Sequence, residues 1–381
     1  IEQGSVKLNQ EVALVTGKGV QKMKGRATKI FTFNGLQREP VEVALAGDIV
    51  ALAGYDTVNI GDTLTAASDL TPLEYVDLDK PTIAMYFRVN NSPFAGKEGD
   101  YVTSNMIKDR LERETRSNVA MKVEPTDSPD AYKVSGRGEL QMAVLIETMR
   151  REGFEFAVSR PEVLLQDHDG VIHEPVEEVV VDVLTDYSNK VIDNLQKRKG
   201  IMQGMSQEGE NNRIEFRVPS RGLIGFRGEM LTETRGTGIM HQQFDGYEPY
   251  AGEIPGRTRG ALIALELGDV TGYALEGVQD RGSFFIEPGD PVYAGMVIGS
   301  NNRSDDMVVN VAKKKALTNH RASITADAIR ISQAKKMSLE ECIEFIGNDE
   351  LLEVTPKSLR IRKKFLDHNE RKREEKKKVT T

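Results

Sequence analysis

Short apolar runs separated by Gly, Asp and Asn open the chain. Residues 11–15, 26–31, 41–45, 48–53 and 62–65 follow one another at the spacing of a small β-barrel, with no helical stripe between them. The pattern changes at Pro81. Ile83, Met85, Phe87 and Val89 alternate as a strand, and Val102, Met106, Ile107 and Leu111 then recur on one helical stripe. Val119, Met121 and Val123 alternate next, followed by Tyr132 and Val134. A second helix over Glu139–Arg151 is predicted to bury Leu140, Val144 and Met149, and Phe154, Phe156 and Val158 close a βαββαβ unit, the order of a ferredoxin-like split β-α-β.

The order then repeats. Val179, Val181 and Val183 alternate, Ser188 can cap a helix carrying Val191, Ile192 and Leu195 that stops at Gly200, and Ile214, Phe216 and Val218 precede another helix. Both units share a local signature. Val134-Ser135-Gly136-Arg137-Gly138-Glu139-Leu140 and Val218-Pro219-Ser220-Arg221-Gly222-Leu223-Ile224 each set a small polar residue and Arg-Gly between third strand and second helix, 84 residues apart. Beyond Pro249, Gly252, Pro255 and Gly256 the reading is β-rich, with strands at 261–265, 273–278 and 284–286 and a long polar, basic segment at 300–323. Ser338 and Glu341 form a capping box for a short helix carrying Ile343 and Ile346. Strands at 351–354 and 359–363 lead into a C-terminal helix of mixed charge.

Composition narrows the class. At 381 residues, 39% hydrophobic and 29% charged, the chain is long enough for two to four globular domains. It has no apolar run of membrane-spanning length and does not open like a signal peptide, so a protein of an aqueous compartment is expected. The lone Cys342 excludes an internal disulfide framework and a multi-cysteine zinc site, and fits a reducing cytoplasm. A net charge of −8 conceals an asymmetry: residues 357–381 carry +7 and the remainder −15, an acidic body with a basic tail. Such a tail suits a polyanion or a merely solvated helix equally.

Several chemistries find no residues to perform them. No Gly-x-x-x-x-Gly-Lys-Ser/Thr cradle and no Asn-Lys-x-Asp guanine-reading motif occurs, so neither GTP binding nor turnover is expected of these residues. The five histidines are scattered without metal-ligand spacing, and Asp167-His168-Asp169-Gly170 reads as a hairpin turn rather than a calcium loop. No catalytic, cofactor-binding or metal-ligating residue is therefore assigned. Three basic features remain. Gln196-Lys197-Arg198-Lys199-Gly200 ends a helix, where cations offset unsatisfied carbonyls as readily as they meet RNA. In the 300–323 segment Arg303, Lys313, Lys314, Lys315, His320 and Arg321 are interleaved with Asn301, Asn302, Asn310, Thr318 and Asn319, side chains that give hydrogen bonds to phosphate, ribose and bases where Lys gives charge alone. The tail supplies Arg362, Lys363 and Lys364. Composition alone leaves a solvated loop and an RNA contact equally open.

A resemblance decides more. Ala46-Gly47-Asp48-Ile49-Val50-Ala51-Leu52 and Gly61-Asp62-Thr63-Leu64 resemble the β-barrel domain II of translational GTPases, and the two βαββαβ units resemble domains III and V of elongation factor G. Ser92-Pro93-Phe94-Ala95-Gly96-Lys97-Glu98-Gly99, Met149-Arg150-Arg151-Glu152-Gly153, Arg221-Gly222-Leu223-Ile224-Gly225-Phe226-Arg227 and Leu317-Thr318-Asn319-His320-Arg321-Ala322-Ser323 resemble the BipA/TypA family of ribosome-associated GTPases over essentially the whole chain. The resemblance implies an α+β multidomain protein of four modules: a β-barrel at 1–78, incomplete at its start, ferredoxin-like units at 79–160 and 161–250, and a β-rich C-terminal domain with a basic tail at 251–381. It implies a GTPase domain elsewhere, to which GTP and magnesium would be confined. It further implies a cytoplasmic monomer, free of membrane, that docks on the ribosome in translation, ribosome assembly and stress response and points a C-terminal-domain loop at A-site tRNA. The RNA-binding residues so implied are Arg281, Arg303, Lys313, Lys314, Lys315, Asn319, His320, Arg321, Arg362, Lys363 and Lys364. The contrasting expectation is a protein-interaction scaffold whose acidic body meets a protein and whose basic loop and tail are solvated.

Overall fold

The computed structural model describes every residue except 18, 36, 56–57, 59, 75–80, 119, 255, 258, 315–330 and 381. The chain divides into two compact units, Ile1–Asp79 with Arg116–Val119, and Lys80–Thr115 with Ala120–Thr381.

Among the described residues of 1–79 the regular elements are all strands, as the short apolar runs require. Ser5–Lys7 pairs with Val43–Leu45, Glu11–Val15 lies between Gln21–Arg26 and Thr63–Ala66, and Lys29–Asn34 lies between Gln37–Pro40 and Val50–Ala53. Among the described residues these three small sheets do not join into the closed barrel expected from the sequence. The strands are three to six residues long, and the chain turns between them at Asn9 and Gly47, where φ is positive. Gly54 lets two of the strands cross closely: a Cβ there would stand 2.1 Å from the Arg26 carbonyl oxygen.

In the second unit the chain runs Ile83–Arg88, helix α1 (Ser104–Ser117), Lys122–Pro125, Ala131–Gly136, helix α2 (Glu139–Arg151) and Phe156–Val158. The four strands lie side by side in the order Lys122–Pro125, Ala131–Gly136, Ile83–Arg88 and Phe156–Val158, which is second, third, first and fourth along the chain. The sheet does not stop there. Phe156–Val158 also pairs with Glu350–Val354, and the ladder continues through Leu359–Lys363, Met296–Asn301, Ala261–Ala264 and Met307–Val309, for eleven strands in all. Residues 79–160 and 251–381, expected as separate modules, thus share one sheet. All three residues of Phe156–Val158 are buried, which suits a central strand needing a partner on both edges. One apolar core covers a face of this sheet with Met85, Phe87, Ile107, Leu111, Ile146 and Ile343, and a second, with Leu262, Tyr293 and Ile298, lies in the C-terminal region.

Helix α2 buries a different face from the one expected. Leu140 and Val144 are exposed, and Met142, Ala143, Leu145, Ile146 and Met149 are buried. Apolar residues stand on two opposite sides of this helix, so two stripes fit the helical period and only the sheet selects between them. Met106 of α1 likewise faces out, while Ile107 and Leu111 face in.

Between the two stretches of chain that build the large sheet, residues 166–249 form a second arrangement. Gln166–His168 turns at Asp169 (φ 55°) and Gly170 (φ 83°) into Val171–Leu184, followed by helix α3 (Thr185–Lys197), Ile201–Glu208, Asn211–Pro219, helices α4 (Ser220–Leu223) and α5 (Phe226–Glu233), and Ile239–Pro249. Val171–Leu184 pairs with Ile239–Pro249 on one side and Asn211–Pro219 on the other, and Ile201–Glu208 completes the edge. Ser188, expected as a cap, lies inside the first turn of α3 and donates to the Leu184 carbonyl at 3.4 Å. The expected strand at 273–278 is instead helix α6 (Gly272–Glu276), because the Thr271 side chain accepts the Ala274 N–H and starts a turn there. Helix α7 (Leu339–Phe345) carries the expected Ser338/Glu341 capping box, and helix α8 (His368–Thr380) ends the described chain. Among the described residues no helix is long and apolar enough to cross a membrane.

Candidate nucleic-acid interface

The described residues on either side of 315–330 are held at one place in the C-terminal region. After Met307–Val309 the chain is pinned by Thr271, whose N–H donates to the Val311 carbonyl at 2.9 Å and whose hydroxyl donates to the Lys313 carbonyl at 2.7 Å. Lys313 and Lys314 are exposed immediately beyond. On the return, Ile331 packs against the second core, Ser332 donates to Gln279 Oε1 at 3.4 Å through its N–H, and the Lys335 N–H donates to the Phe284 carbonyl at 2.8 Å. Residues 271–284 therefore anchor both ends of the basic segment, and Thr271 does so with the same hydroxyl that caps α6.

That anchor carries cations of its own. Arg281 closes the 3-10 turn Gln279–Arg281 and is exposed, and its carbonyl accepts the Asn302 N–H at 2.8 Å while Asn302 Nδ2 donates to the Asp280 carbonyl at 3.1 Å. Arg303, the next residue, is exposed, with its carbonyl accepting the Gly260 N–H at 2.7 Å. The turn bearing Arg303 is thus stitched to the turn bearing Arg281. Nearby Asp306 spends its charge inward: its carboxylate accepts the Ala261 N–H at 2.7 Å and pairs with Lys363 Nζ at 2.5 Å. Asp280 and Asp305 are exposed beside these cations. Lys315, Asn319, His320 and Arg321 lie outside the described residues.

Two of the expected contacts sit in the interior instead. Arg362 is 2% exposed, donates to the Lys363 carbonyl at 3.1 Å and to Asn91 Oδ1, and stands 3.7 Å from Glu353 Oε1. Lys363 is 1% exposed and meets Asp306, Asp349 at 2.8 Å and Glu350 at 2.9 Å. Burial pulls its pKa down, but those three carboxylates outweigh it and hold the ammonium above its usual value. Neither side chain can reach an RNA without undoing this network. Alternation of Leu359 and Ile361 with Arg360 and Arg362 reads as a half-solvated strand, but the second face of this strand is covered by Tyr293 and Glu353. Lys364 is exposed, with its N–H donated to the Asp349 carbonyl at 2.9 Å.

The basic helix end has a structural task. Arg198 donates to the carbonyls of Gly222 at 2.9 Å and Ile224 at 3.0 Å and pairs with Glu229 at 2.6 Å, whereas Lys197 and Lys199 are exposed.

A tie that no sequence pattern announced fixes the anchor region to the first βαββαβ unit. Glu155, 1% exposed, accepts from Asn90 Nδ2 at 2.9 Å and from the N–H groups of Gly96 at 2.7 Å and Gly99 at 3.1 Å, shaping the 92–99 loop. The loop then inserts Phe94 into the C-terminal core, edge-on to Tyr293 at 5.1 Å, and offers Glu98 to Thr355, Ser358 and Arg360. Burial raises the pKa of Glu98, and these donors and the Arg360 charge more than reverse it. This eight-residue loop thereby joins regions separated by more than 250 positions.

Three family models match in succession: "Elongation factor Tu domain 2" over residues 1–65, "Elongation factor G C-terminus" over 171–258 and "TypA/BipA C-terminal domain" over 259–368. Among curated proteins, the "Large ribosomal subunit assembly factor BipA" of Bacillus subtilis is 47% identical over 380 residues, covering 99% of this chain and 62% of that protein. Its counterparts in Haemophilus influenzae and Synechocystis are 48% and 46% identical, covering 98% and 95% of this chain and 61% of each relative. The chain therefore spans about three fifths of the length of these relatives. With the models in this order and identity sustained from end to end, the chain belongs to the BipA/TypA family.

Proposed function

We propose that this chain is the ribosome- and RNA-binding portion of a BipA/TypA-type translational GTPase acting in assembly of the large ribosomal subunit, and that its basic segment, held at both ends by residues 271–284, is the principal RNA contact. The observation that carries the reading is this double anchorage beside exposed Arg281, Arg303, Lys313 and Lys314. Cations gathered beside these anchors suit a phosphate backbone, and Arg can fork two N–H groups onto one phosphate where Lys offers a point charge. Lys315, Asn319, His320 and Arg321 extend the contact toward A-site tRNA, and Lys364 lies at its margin. On the same reading residues 1–78 act as translation-factor domain II and the two βαββαβ units are ferredoxin-like, while GTP and magnesium serve a domain outside residues 1–381. The protein works as a cytoplasmic monomer in translation and stress response.

Reversing Lys313, Lys314 and Lys315 together to Glu tests it. Co-sedimentation with ribosomes across a salt titration should show weaker binding and a slope of log affinity against log salt reduced by about 2–3, the counterions no longer released. Lys197→Glu/Lys199→Glu, an exposed reversal on another element, should leave the slope nearly unchanged. If the triple variant binds as the parent does at every salt concentration, the segment is a solvated connection and the scaffold reading replaces this one.

A further inference from the structure

The middle arrangement, residues 171–249, has an apolar core of its own: Val179, Val181, Val191, Leu195, Phe216 and Phe226 pack among themselves, whereas a single core spans residues 83–158 and the C-terminal region. The middle arrangement meets these neighbours where α4 lies against Glu162–Val163 and, a few residues on, through a polar contact at Gly225. The Gly225 N–H donates to Glu139 Oε2, on the first turn of α2, at 3.0 Å. Glu344 of α7 lies against the same glycine: a Cβ there would stand 2.3 Å from Glu344 Cγ and 3.0 Å from its Oε1. Only a glycine tolerates both that approach and the φ of 73°. The repeated Arg-Gly signatures thus meet, the glutamate that follows one touching the glycine that follows the other.

Charge at this point is unbalanced. Glu344 faces Glu139 from α2, Glu229 from α5 and Arg198 from the end of α3; Glu340 lies on its own helix, and Lys335 precedes that helix, paired with Glu341 at 2.9 Å. Glu233 of α5 accepts from Asn194 at 2.8 Å, and Arg227 of α5 is exposed. Arg198 is already shared among Glu229 and two carbonyl oxygens.

We propose that this junction is a proton-operated latch: with Glu344 protonated, the turn at 219–228 is held against α2 and α7, and with Glu344, Glu139 and Glu229 all ionised the middle arrangement loosens from its neighbours. Burial first, and then Glu139 and Glu229, push the Glu344 carboxyl up to about 7, against the pull of Arg198. Burial likewise raises Glu139, opposed by the Gly225 N–H and Arg198. A carboxyl whose pKa is higher docked than free binds its proton more tightly when docked, so docking is strongest below the ordinary carboxyl value and weakens as pH rises to about 7. The docked-to-loosened ratio should fall by up to about two orders of magnitude across that window.

Nitroxide labels at Lys190→Cys and Lys357→Cys in the full chain read the distance between the middle arrangement and the C-terminal sheet by pulsed electron resonance; native Cys342 is buried and does not compete. A narrow distribution at pH 5.5 should broaden above pH 8 with a midpoint near neutrality, and Glu344→Gln, which keeps shape and removes charge, should stay narrow throughout. A distribution in the parent that ignores pH, or a Glu344→Gln variant that broadens as the parent does, overturns the proposal. Should Glu344→Gln fail to fold, the side-chain carboxyl carbon resonance of Glu344 in the parent decides: a titration midpoint coincident with the broadening supports the latch, and one in the ordinary carboxyl range refutes it.

Discussion

Phe94→Ala probes whether the two cores of the large sheet stand or fall together. Phe94 is 7% exposed, packs with Leu262, Ile286 and Ile298, and presents its ring to Tyr293 at 87° with Arg360 5.3 Å and Lys97 4.5 Å from its centroid. Truncating a buried Phe costs about 3–5 kcal/mol, of which the edge-on aromatic pair supplies about 0.5–1.5 kcal/mol. Because Glu155 holds the 92–99 loop independently, the loop stays and the cavity remains, while the slight exposure of the ring sets the cost at about 3 kcal/mol. The reporter is Cys342, 3% exposed in the other core, its thiol pushed up to about 12 by burial and by Glu341 and Glu340. Such a thiol reacts with a disulfide reagent only when the core opens. If one sheet means one opening event, a loss of about 3 kcal/mol multiplies the labelling rate on the order of a hundredfold. Labelling within about threefold of the parent, alongside a shifted urea transition, would show that the two cores open separately and that the shared sheet does not couple them.

Lys363→Met should destabilise the chain by about 3–5 kcal/mol in urea, because Asp306, Asp349 and Glu350 lose the cation they enclose; a stability near that of the parent would mean these acids find other partners. Arg198→Met should cost about 2 kcal/mol by leaving two carbonyls and Glu229 without their donor, whereas Lys197→Glu/Lys199→Glu should cost about 1 kcal/mol or less, the scale of a helix-end charge. Equal thermal shifts in the two variants would contradict the structural task assigned to Arg198.

Much of the secondary structure was legible where one face of an element is apolar and the other polar. The strand Ile83–Arg88, helix α3, the capping box before α7 and the turn at Asp169-Gly170 carry their signals within a few residues. Legibility failed where tertiary partners choose between equal local options: α2 has two apolar stripes, and residues 273–278 satisfy a strand pattern until Thr271 caps a helix. At the candidate interface, the cations could be counted but not sorted. Arg303 and Arg362 look alike in sequence, and only the strand pairing that puts Arg362 beneath Tyr293 and Glu353 separates a surface cation from a buried one. Glu155 and Glu344 gave no signal at all, since their partners arrive from distant segments.

The large sheet also dictates an order of events on the way to the folded state. Phe156–Val158 gains its second neighbour only when Leu352–Val354 emerge, after the whole middle arrangement has been made. At about 5–20 residues per second, a nascent chain carries that open edge for on the order of 10–40 s. During this interval the strand offers unpaired N–H and C=O groups flanked by Phe156 and Val158, a template for pairing with another chain. Synthesis of this protein therefore contains a window of self-association that the finished molecule no longer displays, and the early compact core of residues 171–249 shortens the search by bringing the late strand back toward its partner.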